Sequence, residues 1–439
     1  MICVIDETTS SDIGFREHAL RSRVLAEVHA RPFESMAGAK RILHFAFMTD
    51  YEEAERAQAA LAQFCLDRAA PPPLAGARRH RVELAPTVLR WERHGEFLTY
   101  TWEFSQENGG DPERTAFRPG AGELAKIMRM LPQPGPLIVA VDLDVLPEAR
   151  LGDGWMRLFG QAELAAAEVS HGAAIVATDF RADVYGFVRI LVLDRNLTEL
   201  EAGALAQRLL ELETYRTLAL LGLPRAQDLS PSISRIEAEL PRLIAQMSDS
   251  EGLEASRQLL GRLNALAAEL ETGAAQSLYR FGATKAYHEV VELRLKAIGE
   301  HAIGDIPTLA AFLSRRLTPA IRTVGAIEAR QDTLSQKLAR AAQLLRTRVE
   351  VELESQNQNL LRTMNERVRM QLRLQQTVEG LSVAAITYYI SSIVHLMLEG
   401  AHQQEHELNP ALATAIAVPF IAGFVWWNVR RLRERHPVD

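Results

Sequence analysis

The pattern of apolar and polar positions changes character three times along the chain. Up to about residue 196, short apolar runs alternate with helical periodicity. Runs at 42–48, 88–92, 97–104, 137–142, 173–178 and 187–193 read as strands, and the β-branched and aromatic residues around His94-Gly95 make 88–102 a hairpin. Helical spacing covers 52–68, 121–130, 155–169 and 197–221. This predicts a mixed α/β or α+β domain over residues 1–196. After Pro224 the strand signals stop, and 197–317 reads as a helical region broken at Pro231, Pro241, Gly282 and Pro307.

Thr318-Pro319 then reads as an N-cap followed by proline at the first helical position. No proline follows before Pro410, and helix formers dominate between, so a single stalk helix is expected over 318–398, roughly 120 Å long. Its apolar row runs Leu334, Leu338, Ala341, Leu345, Val349, Leu353, Leu360, Met364, Val368, Leu372 and Val378, with Gln356 and Gln375 falling in the same row. A spacing of about 3.7 residues keeps that row on one face of a nearly straight helix. Such a face needs a partner, and further copies of the same chain are the favoured one, making the protein a homo-oligomer through the stalk.

The end of the stalk changes again. Residues 381–398 contain no Asp, Glu, Lys or Arg, and neither do 410–429, each long enough for a helix to cross hydrocarbon. The second stretch closes on Trp426-Trp427 and is followed by Arg430, Arg431, Arg433 and Arg435 in a basic tail, 430–439. Together they predict a transmembrane hairpin. Arg362, Arg367, Arg369 and Arg373 precede the first span, whereas the loop 399–409 has no Lys or Arg, which places both ends of the hairpin in the cytoplasm.

Composition adds exclusions. The formal net charge of the 439 residues is −7, which removes the case for a broad basic face reading nucleic acid. The two cysteines, Cys3 and Cys65, form no metal or redox spacing and suit a reducing compartment. The start of the chain lacks the basic and apolar regions of a secretory signal, so the first region is expected to stay in the cytoplasm. No Walker loop, GxGxxG after a strand, HExxH, GxSxG or kinase set occurs, so the chain does not read as an enzyme, and no cofactor is evident.

Four groups of residues carry candidate chemistry. Thr387, Ser391 and His395 recur every four residues inside the first span and lead to Glu399; they share one face and would line a pore if copies surrounded an axis. Hydrogen bonding to the second span is the alternative. Glu399, His402, Glu405, His406 and Glu407 form an oxygen-and-nitrogen cluster suited to attracting a divalent cation, against the plainer reading of a solvated loop. Asp179 and Arg181 end a strand and would bind a ligand through carboxylate and guanidinium, or simply close a turn. His29 and Arg31 would form an anion or nucleotide site, or favour the end of an early helix.

Several stretches carry a family resemblance: Arg280-Phe-Gly-Ala-Thr-Lys-Ala-Tyr287, Arg315-Arg-Leu-Thr-Pro319, Leu344-Leu-Arg-Thr-Arg348-Val, Glu354-Ser-Gln-Asn357 and Leu374-Gln-Gln-Thr-Val-Glu-Gly-Leu381, with Asp179-Phe-Arg181 and His29-Ala-Arg-Pro32 earlier. They resemble the bacterial membrane-anchored proteins called domain of unknown function 3422. That resemblance implies a bacterial inner membrane location and brings no established activity. The layout is also similar to CorA-type divalent-cation channels: a cytoplasmic α/β domain, a stalk helix entering the first of two spans, and a basic tail. It implies a cation-conducting oligomer with a sensing domain. The Gly-Met-Asn signature of those channels is replaced here by Leu398-Glu-Gly-Ala-His402, which puts magnesium selectivity in question. The other reading is a membrane-tethered scaffold or regulator without transport.

Overall fold

The computed structural model describes residues 18–21, 24–25, 34–85, 87–105, 116–118, 120–121, 129, 131–160, 163–250, 252–402 and 410–435. Two compact units emerge, Met1–Arg242 with Asn264–Ala339, and Leu243–Leu263 with Arg340–Asp439.

The first unit is built on a mixed sheet whose strands, among the described residues, are β1 (Lys40–Met48), β2 (Arg79–Leu84), β3 (Thr87–Arg93), β4 (Phe97–Ser105), β5 (Leu137–Pro147), β6 (Ala165–Val169), β7 (Ala174–Ala182), β8 (Val188–Asp194) and β9 (His301–Ala302). Their order is β2-β3-β4-β1-β5-β8-β7-β6-β9, antiparallel at every pairing except β5 with β8. Strand alternation sorts side chains onto two faces. One face, with Val141, Leu143, Val145, Val176, Ile190 and Val192, packs on helices. These are α2 (Glu199–Leu220), the end of α4 (Leu253–Ile298) and the start of α5 (Leu309–His402). Each such buried Leu, Ile or Val contributes about 1.5–3 kcal/mol. The opposite face is covered by α1 (Tyr51–Leu66) over β1, β3 and β4, and by a 3-10 segment, Gly152–Phe159, over β7 and β8.

Local signals set several of these elements. Asp50 and Glu53 form a capping box at α1, and Thr198 and Glu201 do so at α2. The chain at Glu34–Met36 crosses the first turns of α2, with Met36 N–H donating to the Glu199 carbonyl at 2.9 Å. Gly203 permits that crossing, since a Cβ there would fall 1.7 Å from the Glu34 carbonyl oxygen.

Elsewhere the expected elements need correction. Residues 155–169 do not form a helix: a 3-10 segment ends at Phe159, and Ala165–Val169 is a strand between β7 and β9. Alanine favours helix, but ladder bonds on both sides and near-complete burial of its small side chains override that preference. β2 escapes the sequence pattern because it is an edge strand carrying Arg79, Arg81 and Glu83. The expected helix at 121–130 falls mostly outside the described residues. Helix α3 (Gly222–Asp249) runs through Pro231 and Pro241, and α4 runs through Gly282; only the Pro307 break holds, and β9 adds a strand where none was expected.

The stalk helix begins at Leu309 and not at the Thr318-Pro319 pair. Its cap is Thr308, whose Oγ1 accepts from Ala311 N–H at 3.2 Å, while the Glu300 carboxylate accepts from Ala310 N–H at 3.0 Å. Pro319 therefore lies inside the helix. An interior proline costs about 3 kcal/mol, which the burial of neighbouring Leu313, Leu317 and Val324 offsets. Within this unit α3, α4 and α5 lie side by side. Arg235 pairs with Glu269, Arg330 Nη2 with Glu237 Oε2 at 2.6 Å, and Ser335 donates to Glu271 at 2.5 Å.

In the second unit the end of α3 and the start of α4 lie beside α5, with Leu243, Leu259, Leu263, Ala341, Leu345 and Val349 buried. Arg348 donates to the carbonyls of Met247 and Ser250, satisfying the end of α3. Farther along α5 the apolar row becomes exposed at Leu360, Met364, Val368, Leu372 and Val378. After residue 402 the described chain resumes at α6 (Pro410–Arg435), which passes through Pro419. Both α5 and α6 are long and apolar enough to cross a membrane: each contains an 18-residue window of mean hydropathy 1.7 in which only 6% of residues are buried. A helix in a soluble core would have most of that window covered.

Candidate functional site

Sequence-predicted residues fall at two places, one in each unit. In the first unit the site grows out of an irregularity in β7. Its register with β8 is regular up to Thr178↔Ile190 and resumes at Ala182↔Val188, so Asp179, Phe180 and Arg181 bulge out opposite Arg189. Phe180 sits at φ 53°, the left-handed region that a bulky residue avoids. Side chains hold the bulge in place. Thr178 Oγ1 donates to the Arg189 carbonyl at 2.7 Å and accepts from Phe180 N–H at 3.1 Å; Asp179 Oδ1 accepts from Arg181 N–H at 3.1 Å. Asp179 also faces Arg189, with Oδ2 to Nη2 at 3.8 Å.

Asp179 is buried and closes the turn, whereas Arg181 is exposed and its guanidinium makes no hydrogen bond or ion pair with any described residue. Phe180 projects against Phe312 of α5, with ring centroids 5.2 Å apart. Beside them lies a cavity of about 240 Å³. Two more arginines reach it: Arg216 from α2, its guanidinium 5.3 Å from the Phe180 ring centroid, and Arg316 from α5, 3.8 Å from that of Phe312. Arg216 is paired with Glu213, and Arg316 with Glu163. Burial works against the Arg216 charge, but the carboxylate of Glu213 outweighs it and raises the Arg216 pKa. Sequence reasoning missed Arg216, and it gave Phe180 no role beyond its place in the Asp179-Phe-Arg181 stretch. Arg316 belongs to the Arg315-Arg-Leu-Thr-Pro319 stretch, but nothing in its spacing signals that it meets Asp179-Phe-Arg181.

Another of those stretches proves structural. Arg280 grips Glu96, at the β3–β4 turn, with Nη1 to Oε1 at 3.0 Å and Nη2 to Oε2 at 2.5 Å; Tyr287 O–H donates to the same carboxylate at 2.7 Å. Burial and the adjacent Glu96 raise the Tyr287 pKa, keeping it a donor. The motif therefore ties α4 to the β3–β4 hairpin.

In the second unit the polar row of the first apolar stretch turns toward α6. His395 Nδ1 lies 3.0 Å from Thr414 Oγ1, Thr387 is 8% exposed, and Ser391 is half-buried. The hydroxyls of Thr387 and Ser391 have no hydrogen-bond partner among the described residues. Glu399 is exposed. His402 ends α5; its side chain, like Glu405, His406 and Glu407, lies outside the described residues, as do His29 and Arg31. At the other end of α6, the guanidinium of Arg430 stands 5.3 Å from the Trp426 ring centroid and that of Arg431 5.0 Å from Trp427, an aromatic and basic boundary. Among the described residues no group of three His, Cys, Asp or Glu side chains is placed to hold a metal ion.

Comparison with curated proteins gives no match. Residues 16–436 match a family model described as a protein of unknown function, DUF3422.

Proposed function

Starting from the fact that the chain belongs to the DUF3422 family, whose description assigns no activity, we propose that this protein is a membrane-tethered scaffold or regulator. In this reading α5 and α6 form an anchoring hairpin, both its ends are cytoplasmic in a bacterial inner membrane, and the sheet domain is held at the end of α5. The carrying observation is the hydrogen bond between His395 and Thr414. It spends the most polar group of the first apolar stretch on the second helix of the same chain, which is what an anchor in lipid requires. The exposed row from Leu360 to Val378 supports self-association of α5 in a homo-oligomer, since one chain leaves it uncovered.

A cation-conducting oligomer of CorA-type layout is the second reading. It is favoured by the hydroxyls of Thr387 and Ser391, unpartnered among the described residues, which water in a central pore would satisfy. Single cysteines at Thr387, Ser391 and His395, with Cys3 and Cys65 replaced by serine, separate the two. The anchor predicts that all three resist small water-soluble thiol reagents as well as a cysteine at Ile386 does, and that reconstituted vesicles show no cation flux. Rapid labelling of the three with measurable flux would sink the anchor and establish the pore. Reporters at the two termini test topology; opposite locations would contradict a hairpin.

A further inference from the structure

The bulge on β7 is costly, and what it accomplishes is visible beside it. A phenylalanine in the left-handed region and a break in ladder pairing both work against the sheet. In return, Phe180 is placed against Phe312, and Arg181 stands at the rim of the cavity between β7, α2 and α5. We propose that this cavity binds a small organic anion with an aromatic or aliphatic body, its acid group held by Arg181 together with Arg316.

Charge, exchangeability and shape support that assignment. Counting the cavity lining and the groups paired to it, four guanidiniums, Arg181, Arg189, Arg216 and Arg316, stand against three carboxylates, Asp179, Glu163 and Glu213, which leaves one positive charge in excess. The pairs differ in how readily they can be exchanged. Arg216 is bound to Glu213, whose side chain is only 2% exposed, and that pair stays. The side chains of Arg316 and Glu163 are 42% and 56% exposed, a screened pair that a ligand acid can displace at little cost. Arg181 has no partner to give up among the described residues. A planar guanidinium presents paired donors to a carboxylate or phosphate, so two of them converging on one opening suit an acid better than a neutral ligand.

The body of the ligand follows from the walls. Phe180, Phe312, Leu220, Leu313 and Leu317 supply apolar surface that a hydrated inorganic ion would leave unused. A volume of about 240 Å³ equals roughly eight water volumes, enough for a single ring or a short aliphatic chain. This site is independent of whether the hairpin anchors or conducts.

Phenyl phosphate is the probe, titrated into the detergent-purified full chain by calorimetry, with inorganic phosphate and benzyl alcohol as comparisons. Saturable binding of phenyl phosphate in the micromolar to millimolar range is expected, with both comparison compounds weaker. Arg181→Gln should weaken binding by at least about tenfold while leaving the melting temperature of the free protein unchanged, because Arg181 is exposed and its guanidinium is unpaired among the described residues. Phe180→Ala should weaken phenyl phosphate more than inorganic phosphate. Bound phenyl phosphate should slow hydrogen exchange at 178–182. Absence of saturable binding by the wild-type chain, or equal affinity in Arg181→Gln, would overturn the proposal. So would inorganic phosphate binding as tightly as phenyl phosphate, which denies the apolar walls a role.

Discussion

Arg41→Met is expected to destabilise the sheet domain by about 3–5 kcal/mol, because it strands a carboxylate in the interior. Arg41 on β1 and Asp142 on β5 form a two-pronged pair, with Nε to Oδ1 at 2.9 Å and Nη2 to Oδ2 at 2.7 Å. Their side chains are 2% and 1% exposed. They lie on the sheet face covered by α1 and the 3-10 segment, where the two apolar patches meet. Burial already pushes the Asp142 carboxyl above its ordinary range, against the pull of Arg41. Without Arg41 it rises further, so the folded variant binds a proton that the unfolded chain does not. Its deficit relative to wild type is therefore smallest at or below the ordinary aspartate pKa and grows as the pH rises toward the elevated folded value. Hydrogen exchange of the β1 and β5 amides measures this at each pH. The double variant Arg41→Met with Asp142→Leu should recover much of the loss, since it removes both charges of this pair. If the double variant were as unstable as the single, the buried charge would not be the cause.

Acidification should weaken the same domain through His44. Its ring lies buried between Thr101 Oγ1, 2.8 Å from Nδ1, and Thr214 Oγ1, 3.1 Å from Nε2. Thr214 gives its hydroxyl hydrogen to the Leu210 carbonyl at 2.8 Å, so toward His44 it accepts; Nε2 carries the proton and Nδ1 accepts from Thr101. Burial first, then the charges of Arg90 and His94, lower the His44 pKa from 6.5 to about 3. The folded state thus binds fewer protons than the unfolded one between those values. Stability is complete above pH 6.5 and falls as the pH drops toward 3, by about 5 kcal/mol in full. His44→Gln removes this contribution, so unfolding of wild type and variant compared at pH 7 and pH 4.5 should show a steeper loss for wild type. Parallel curves for the two proteins would refute the assignment.

How much of this was legible beforehand depends on the range of the interaction. The alternation and apolar runs that mark β1, β3, β4, β5 and β8 are properties of neighbouring residues, and so are the Asp50 and Thr198 caps and the two uncharged stretches that become the apolar parts of α5 and α6. Each was readable because its physics is local: side-chain period, cap chemistry, and the length of an apolar run. The candidate sites were legible only as residue types. Asp179 and Arg181 announced charge at a strand end, and His395 announced polarity in an apolar helix. Asp179 and Arg181 gave no sign of Arg216 or Arg316, and the second span was open for His395 only as an alternative, with no pattern singling out Thr414.

Partners were decided by tertiary structure. Ala165–Val169 becomes a strand because β7 and β9 flank it, and α3 and α5 continue through prolines because burial outweighs a lost hydrogen bond. Arg216 and Arg316 join Arg181 only where α2 and α5 cross the bulged end of β7, and His395 meets Thr414 only where α5 packs on α6. The sequence by itself determined the kinds of element and the chemistry each carries. Folding determined which distant groups face one another, because burial and hydrogen bonding between remote segments depend on positions that no local pattern encodes.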